Sequence, residues 1–162
     1  MVAVVYVHGL WLSGHEAFLL RRRLARERGY AWHKFSYAST LLTMDAIADA
    51  LQEFIATLRI PRVHLLGHSL GGLAILRCLE RHPVQPPGRV VFLGTPSMAS
   101  RAANAVGRIR LGRAILGPAA AEELLYAHER RWAQERELGI IAGTRPLSFG
   151  RLVTKFDEDN DG

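Results

Sequence analysis

A chain of 162 residues, 49% hydrophobic and 22% charged, is long enough to bury a core of its own as one domain and has neither a disordered nor a fibrous composition. The formal charge of +6 is spread along the chain, and the 8% aromatic content offers no base-stacking platform, so no nucleic-acid partner is expected. The single cysteine, Cys78, excludes an internal disulfide.

Met1 is followed at once by the apolar run Val2-Ala3-Val4-Val5-Tyr6-Val7, which predicts a first strand buried on both faces. The run has no basic leader or cleavage site and is far too short to cross a membrane, so a cytoplasmic protein without a transmembrane segment is expected. Residues 15–28 read as a helix stopped by Gly29, and residues 31–36 as a second strand. Arg21, Arg22 and Arg23, with Arg26 and Arg28, lie on that helix and are partly offset by Glu16 and Glu27. They are read as a solvated face in preference to an anion-binding one. Residues 43–58 form a second helix, with Thr43 as its N-cap and Ile47, Leu51, Phe54, Ile55 and Leu58 as its apolar stripe. Pro61 precedes a strand over 62–66, and a helix follows over 72–81, in which Cys78 is expected as a buried small hydrophobe. Val90-Val91-Phe92-Leu93 and the stretch 139–143 are further strands.

This alternation predicts a single α/β domain over 1–162, a mostly parallel sheet with helices on both faces and right-handed crossovers. Ligands of such sheets bind at the carboxyl ends of the strands, where His8-Gly9, Ser69 and Thr95 fall. The Ala-, Gly- and Arg-rich stretch 97–137 is either a small cap inserted over that end or an ordinary surface connection.

The sharpest signal is Gly67-His68-Ser69-Leu70-Gly71, a G-x-S-x-G arrangement between an apolar strand and a helical run. In that context Ser69 sits on a strained turn with its hydroxyl above the sheet. Gly67 and Gly71 remove Cβ atoms that would collide with neighbouring elements. Free N–H groups at the helix start face the place where an oxyanion would form. His8-Gly9-Leu10-Trp11 follows the first strand, where a second oxyanion donor is needed. By position the two donors are the main-chain amides of Leu10 and Leu70, with His8 orienting the loop.

These segments, together with Leu93-Gly94-Thr95-Pro96, resemble the α/β-hydrolase superfamily, in particular its small bacterial lipase- and esterase-like members, over essentially the whole chain. The resemblance implies hydrolysis of carboxylic esters of uncharged, lipid-like or short acyl type. The reaction would run through an acyl-enzyme on Ser69, by a Ser–Asp–His triad without a cofactor or metal. It also implies an acid after a late strand, often within Asn-Asp-Gly. Asn160-Asp161-Gly162 matches, which makes Asp161 the expected acid and Asp159 the reserve.

The family's histidine should follow the acid after one more strand, but His8, His15, His33, His64, His68, His82 and His128 all precede Asp161. The expectation is a C-terminally shortened chain lacking the final strand and helix, poorly active as it stands and prone to self-association through an exposed sheet edge. The competing readings are a catalytically inactive binding or scaffolding protein built on the same fold, or an acyltransferase or thioesterase using the same residues. The terminal run Asp157-Glu158-Asp159-Asn160-Asp161-Gly162 also matches the first half of a calcium loop. Such a loop needs a closing glutamate six residues further on, so no metal site is assigned.

Overall fold

The computed structural model describes residues 1–95, 116–122 and 132–143. Five strands alternate with three helices: β1 (Val2–Val7), α1 (Phe18–Arg28), β2 (Ala31–Phe35), α2 (Met44–Leu58), β3 (Arg62–His68), α3 (Leu70–Arg81), β4 (Val90–Leu93) and β5 (Leu138–Ile141). The strands form one sheet in the order β2-β1-β3-β4-β5, and each pairs in parallel with its neighbour.

The order reverses at β1. The first crossover steps to β2 on one side, and the second carries the chain back past β1 to β3. With right-handed crossovers, that reversal puts α1 on one face and α2 and α3 on the other. The side chains agree. Val5, Val7, Val63, Leu65, Val90 and Phe92 pack with Ile47, Leu51 and Ile55 of α2 and Ala74, Ile75 and Leu79 of α3. Val4, Tyr6 and Leu66 face the opposite way, towards Ala17, Leu20 and Leu24. Reversal of strand order also opens a crevice between the carboxyl ends of β1 and β3.

The second face is thinly covered. α2 buries Met44, Ile47, Ala48, Leu51 and Ile55, whereas α1 buries no residue fully. Full burial of one such aliphatic side chain contributes about 1.5–3 kcal/mol, so α2 anchors the sheet far more strongly than α1 does. Charged side chains tie α2 to α3: Arg77 to Asp45 at 2.6 Å, Arg81 to Asp45 at 3.1 Å and to Asp49 at 2.9 Å, and His82 to Asp49 at 2.7 Å.

The element boundaries shift by one residue at the end of β2 and the start of α2, and by more in three other places. The first helix begins at Phe18 and not at residue 15. Gly14 has φ of 85°, and the amide of Phe18 donates to the carbonyl of His15, so residues 15–17 close a turn before the helix. The third strand runs to His68 and its helix starts at Leu70. Gly71 is a weak helix former that local propensity leaves outside the helix, but close packing against the ends of the strands places it in the first turn. The last described strand is Leu138–Ile141 rather than 139–143, and its Ile140 and Ile141 are 56% and 61% exposed.

Candidate active site

β3 ends at His68 and α3 begins at Leu70, so the change from strand to helix is made by Ser69 alone. Its backbone takes φ 50° and ψ −121°, a conformation that costs a residue with a Cβ of the order of 1–3 kcal/mol. The surroundings hold it there. The Ser69 amide donates to the Leu93 carbonyl at 2.9 Å, extending the pairing of β3 with β4, and the Ser69 carbonyl accepts from Gly72 at 3.0 Å. A Cβ on Gly67 would lie 2.5 Å from the Cα of Gly72, and one on Gly71 would lie 2.2 Å from the Val7 carbonyl oxygen. Without a Cβ, these glycines allow the first turn of α3 to rest on the ends of β1 and β3. Ser69 itself is only partly buried.

The loop after β1 meets this turn. A Cβ on Gly9 would come within 3.1 Å of the Ser69 Cβ, so the two backbones approach as closely as a glycine permits. Residue His8, 1% exposed, organises the loop. Its Nδ1 bonds the Gly9 carbonyl at 2.8 Å, and its Nε2 accepts from the Tyr37 amide at 3.3 Å. With Nε2 accepting from Tyr37, Nδ1 is the nitrogen that donates to the Gly9 carbonyl. The Gly9 carbonyl also accepts from the Leu12 amide at 3.2 Å. Gly9–Leu10 is a trans peptide, so pinning its carbonyl turns the Leu10 N–H to the opposite side of the same plane. The Leu10 side chain packs on the core. Trp11 has φ of 58°, and its amide donates to Ser39 Oγ at 3.1 Å.

Of the other histidines among the described residues His68 comes nearest: a Cβ on Gly9 would lie 3.1 Å from both its Nδ1 and the Ser69 Cβ, and that Nδ1 is buried and unpaired among the described residues. His68 shares the face of Leu66 and Tyr6, and burial holds its imidazole below the ordinary histidine range. The His15 ring bonds Ser13 Oγ at 2.8 Å, that of His64 accepts from the Arg89 amide at 2.9 Å, and that of His82 bonds Asp49 at the far end of α3. The His33 side chain lies within β2, with Nε2 buried and unpaired among the described residues. Cys78 is fully buried and its thiol is pushed up to about 11 by burial, which makes it inert, as the helical run suggested. Asp161, Asp159, His128 and the run 157–162 lie outside the described residues.

Two contributors have no local signal. Tyr37 and Ser39 reach the His8–Trp11 loop from the end of β2, 29 and 28 residues away in sequence. Of the stretch 97–137, the helical segment 116–122 rests on the loop between β2 and α2. The Ala119 amide donates to the Leu42 carbonyl at 3.2 Å, and the Glu122 carboxylate accepts from the Met44 amide at 3.2 Å, adding to the Thr43 cap.

Comparison with known proteins agrees with this geometry. A family model described as the alpha/beta hydrolase family matches residues 4–159. Among solved structures, a Bacillus licheniformis lipase superposes with a TM-score of 0.70 at 20% identity, covering 91% of this chain and 68% of the lipase. The RedJ thioesterase of prodiginine biosynthesis in Streptomyces coelicolor gives 0.64 at 14% identity, with 87% of this chain and 66% of that one covered. Phospholipase PlaB of Legionella pneumophila gives 0.58 at 21% identity, with 76% and 31% covered. The chain thus spans less than two thirds of both the thioesterase and the phospholipase. No curated protein matches it in sequence.

Proposed function

The chain belongs to the alpha/beta hydrolase family, and from that premise we propose that it is a serine hydrolase that cleaves carboxylic esters through an acyl-enzyme on Ser69. The observation that carries the reading is the backbone of Ser69: φ 50° and ψ −121° between a buried strand and a helix N-terminus, against Gly9 of the neighbouring loop. A strained residue at such a place is held by surrounding structure for a reason other than stability.

In the reaction, Ser69 Oγ attacks the ester carbonyl carbon while an imidazole base removes its proton. The carbonyl oxygen becomes an oxyanion, which accepts hydrogen bonds from the Leu10 and Leu70 amides. Collapse of the tetrahedral adduct expels the alcohol, protonated by the imidazolium, and water repeats the sequence to release the acid. Asp161, with Asp159 in reserve, orients the base. The chemistry calls on no cofactor, and the substrate is a small uncharged or lipid-like ester. The stretch 97–137 serves as a small cap, its segment 116–122 docked beside the site, and the exposed edge of β5 is a surface for self-association.

The supporting test is hydrolysis of p-nitrophenyl butyrate with covalent labelling by a fluorophosphonate. Label on Ser69, lost with Ser69→Ala, supports the proposal; label elsewhere sinks it. A second reading, a silent binding protein on the same fold, draws on the histidines: among the described residues the rings of His8, His15, His64 and His82 are engaged by other partners, and His33 and His68 keep a buried unpaired ring nitrogen. Saturable binding of a butyrate ester by calorimetry, with no turnover and no label, would favour it.

A further inference from the structure

We propose that the carboxyl edge of the sheet on the α1 side docks onto an anionic lipid surface. α1 lies between the parallel strands β1 and β2, so it runs antiparallel to them and its first turn stands at the carboxyl edge, beside the loop that follows β1. That turn displays Phe18 at 58% and Leu19 at 76% exposure. Leu12, Trp11 and Leu41, on the two neighbouring connections, are 37%, 47% and 75% exposed. Isolated exposed apolar residues are ordinary, but Phe18 and Leu19 stand side by side at the start of α1, and Trp11, Leu12 and Leu41 belong to connections at the same end of the sheet.

The charge beside the patch names its partner. Phe18 and Leu19 are followed directly by Arg21, Arg22 and Arg23, and then by Arg26 and Arg28; Glu27 is the only acid in the helix. Glu27 is shared by Arg23 at 3.0 Å and Arg26 at 3.8 Å. Among the described residues Arg21 and Arg22 make no ion pair. An apolar rim with a belt of cations one turn beneath it suits a headgroup layer: the rim enters the acyl boundary while the guanidinium groups meet phosphates. A nucleic-acid duplex would use the arginines but keeps its bases stacked away from exposed Leu19, Leu12 and Leu41. No helix among the described residues is long and apolar enough to cross a membrane, so the contact is peripheral.

This inference does not depend on the chemistry proposed at Ser69, and its test needs no turnover. The full chain is sedimented with vesicles of phosphatidylcholine alone or with three parts in ten phosphatidylglycerol. Binding to the anionic vesicles, falling as salt is raised, is expected. Arg21→Ser with Arg22→Ser should weaken it roughly tenfold or more. Phe18→Ser with Leu19→Ser should weaken it comparably while helical circular dichroism is kept, and Ser69→Ala should bind like the parent. Equal affinity for neutral and anionic vesicles, no binding to either, or a preference for DNA over vesicles would overturn the proposal. So would a concentration-dependent dimer abolished by Phe18→Ser with Leu19→Ser, which would make a second copy the occupant.

Discussion

Tyr37 grips His8 at two points: its hydroxyl donates to the His8 carbonyl at 2.8 Å and its amide donates to the His8 ring at 3.3 Å, with the two rings stacked 4.4 Å apart. Through the bond from His8 Nδ1 to the Gly9 carbonyl, this grip reaches the peptide plane that carries the Leu10 amide. Burial pushes the Tyr37 phenol well above its ordinary range, so it remains a donor at every pH at which the protein is handled. Tyr37→Phe keeps the stacking and removes one bond. It should cost about 1 kcal/mol of stability, and ester turnover should fall through kcat with KM nearly unchanged. Melting curves and steady-state kinetics check both; a fall confined to KM would disconnect Tyr37 from the chemistry proposed for the His8–Trp11 loop.

Ser69→Gly should separate stability from activity. Glycine adopts φ 50° and ψ −121° without the strain a Cβ brings. The variant should be more stable than the parent, by about 1 kcal/mol, and devoid of turnover. Chemical denaturation measures the first, and a less stable variant would show that Ser69 is not strained in place.

Gly71 and Gly94 offer a contrast. Alanine at 71 would drive its Cβ to 2.2 Å from the Val7 carbonyl oxygen, whereas one at 94 meets nothing within 4 Å and suffers only from φ of 50°. Gly71→Ala should therefore lose about 3 kcal/mol or fail to fold, and Gly94→Ala about 1 kcal/mol. Comparable losses for the pair would mean that α3 can shift away from β1.

The pH dependence of stability follows from the α2–α3 charges. Arg77 beside Asp45, and Arg81 and His82 beside Asp49, hold both carboxyls below their ordinary range. Their folded values are depressed, so the stabilisation is present above the unfolded carboxylate pKa of about 4 and is lost as pH falls through the lower folded values. Asp45→Asn should cost less than about 1 kcal/mol at pH 7, since the pair is half exposed, and nothing at pH 2. Urea unfolding at the two pH values tests this; a constant difference would point to packing rather than charge.

Ester hydrolysis by the 162-residue chain should be weak. The His8 ring is engaged by Gly9 and Tyr37, and those of His15, His64 and His82 by other partners; His33 lies within β2, and His68, with an unpaired Nδ1, ends β3 on the face of Leu66 and Tyr6. A serine without its base loses roughly a thousandfold or more in kcat. Full turnover of p-nitrophenyl butyrate would instead direct attention to His15 or His128, each to be replaced by Ala and assayed.

The parallel α/β architecture could be read from the chain because local physics writes it there. The doubly buried strand Val2–Val7, the Thr43 cap and the glycines around Ser69 each follow from short-range patterning or from the room a missing Cβ leaves, and each reappears in the structure. Tertiary structure alone decided what depends on chain reversal. The strand order set β1 beside β3; the approach of Gly9 to Ser69 that it realises, across 60 positions of sequence, is already expected from the two motifs. The same order carried Tyr37 and Ser39 from the end of β2 to the His8–Trp11 loop. Hydrogen bonds between residues so far apart leave no period or spacing in the sequence, because nothing constrains the positions between them except that the fold closes.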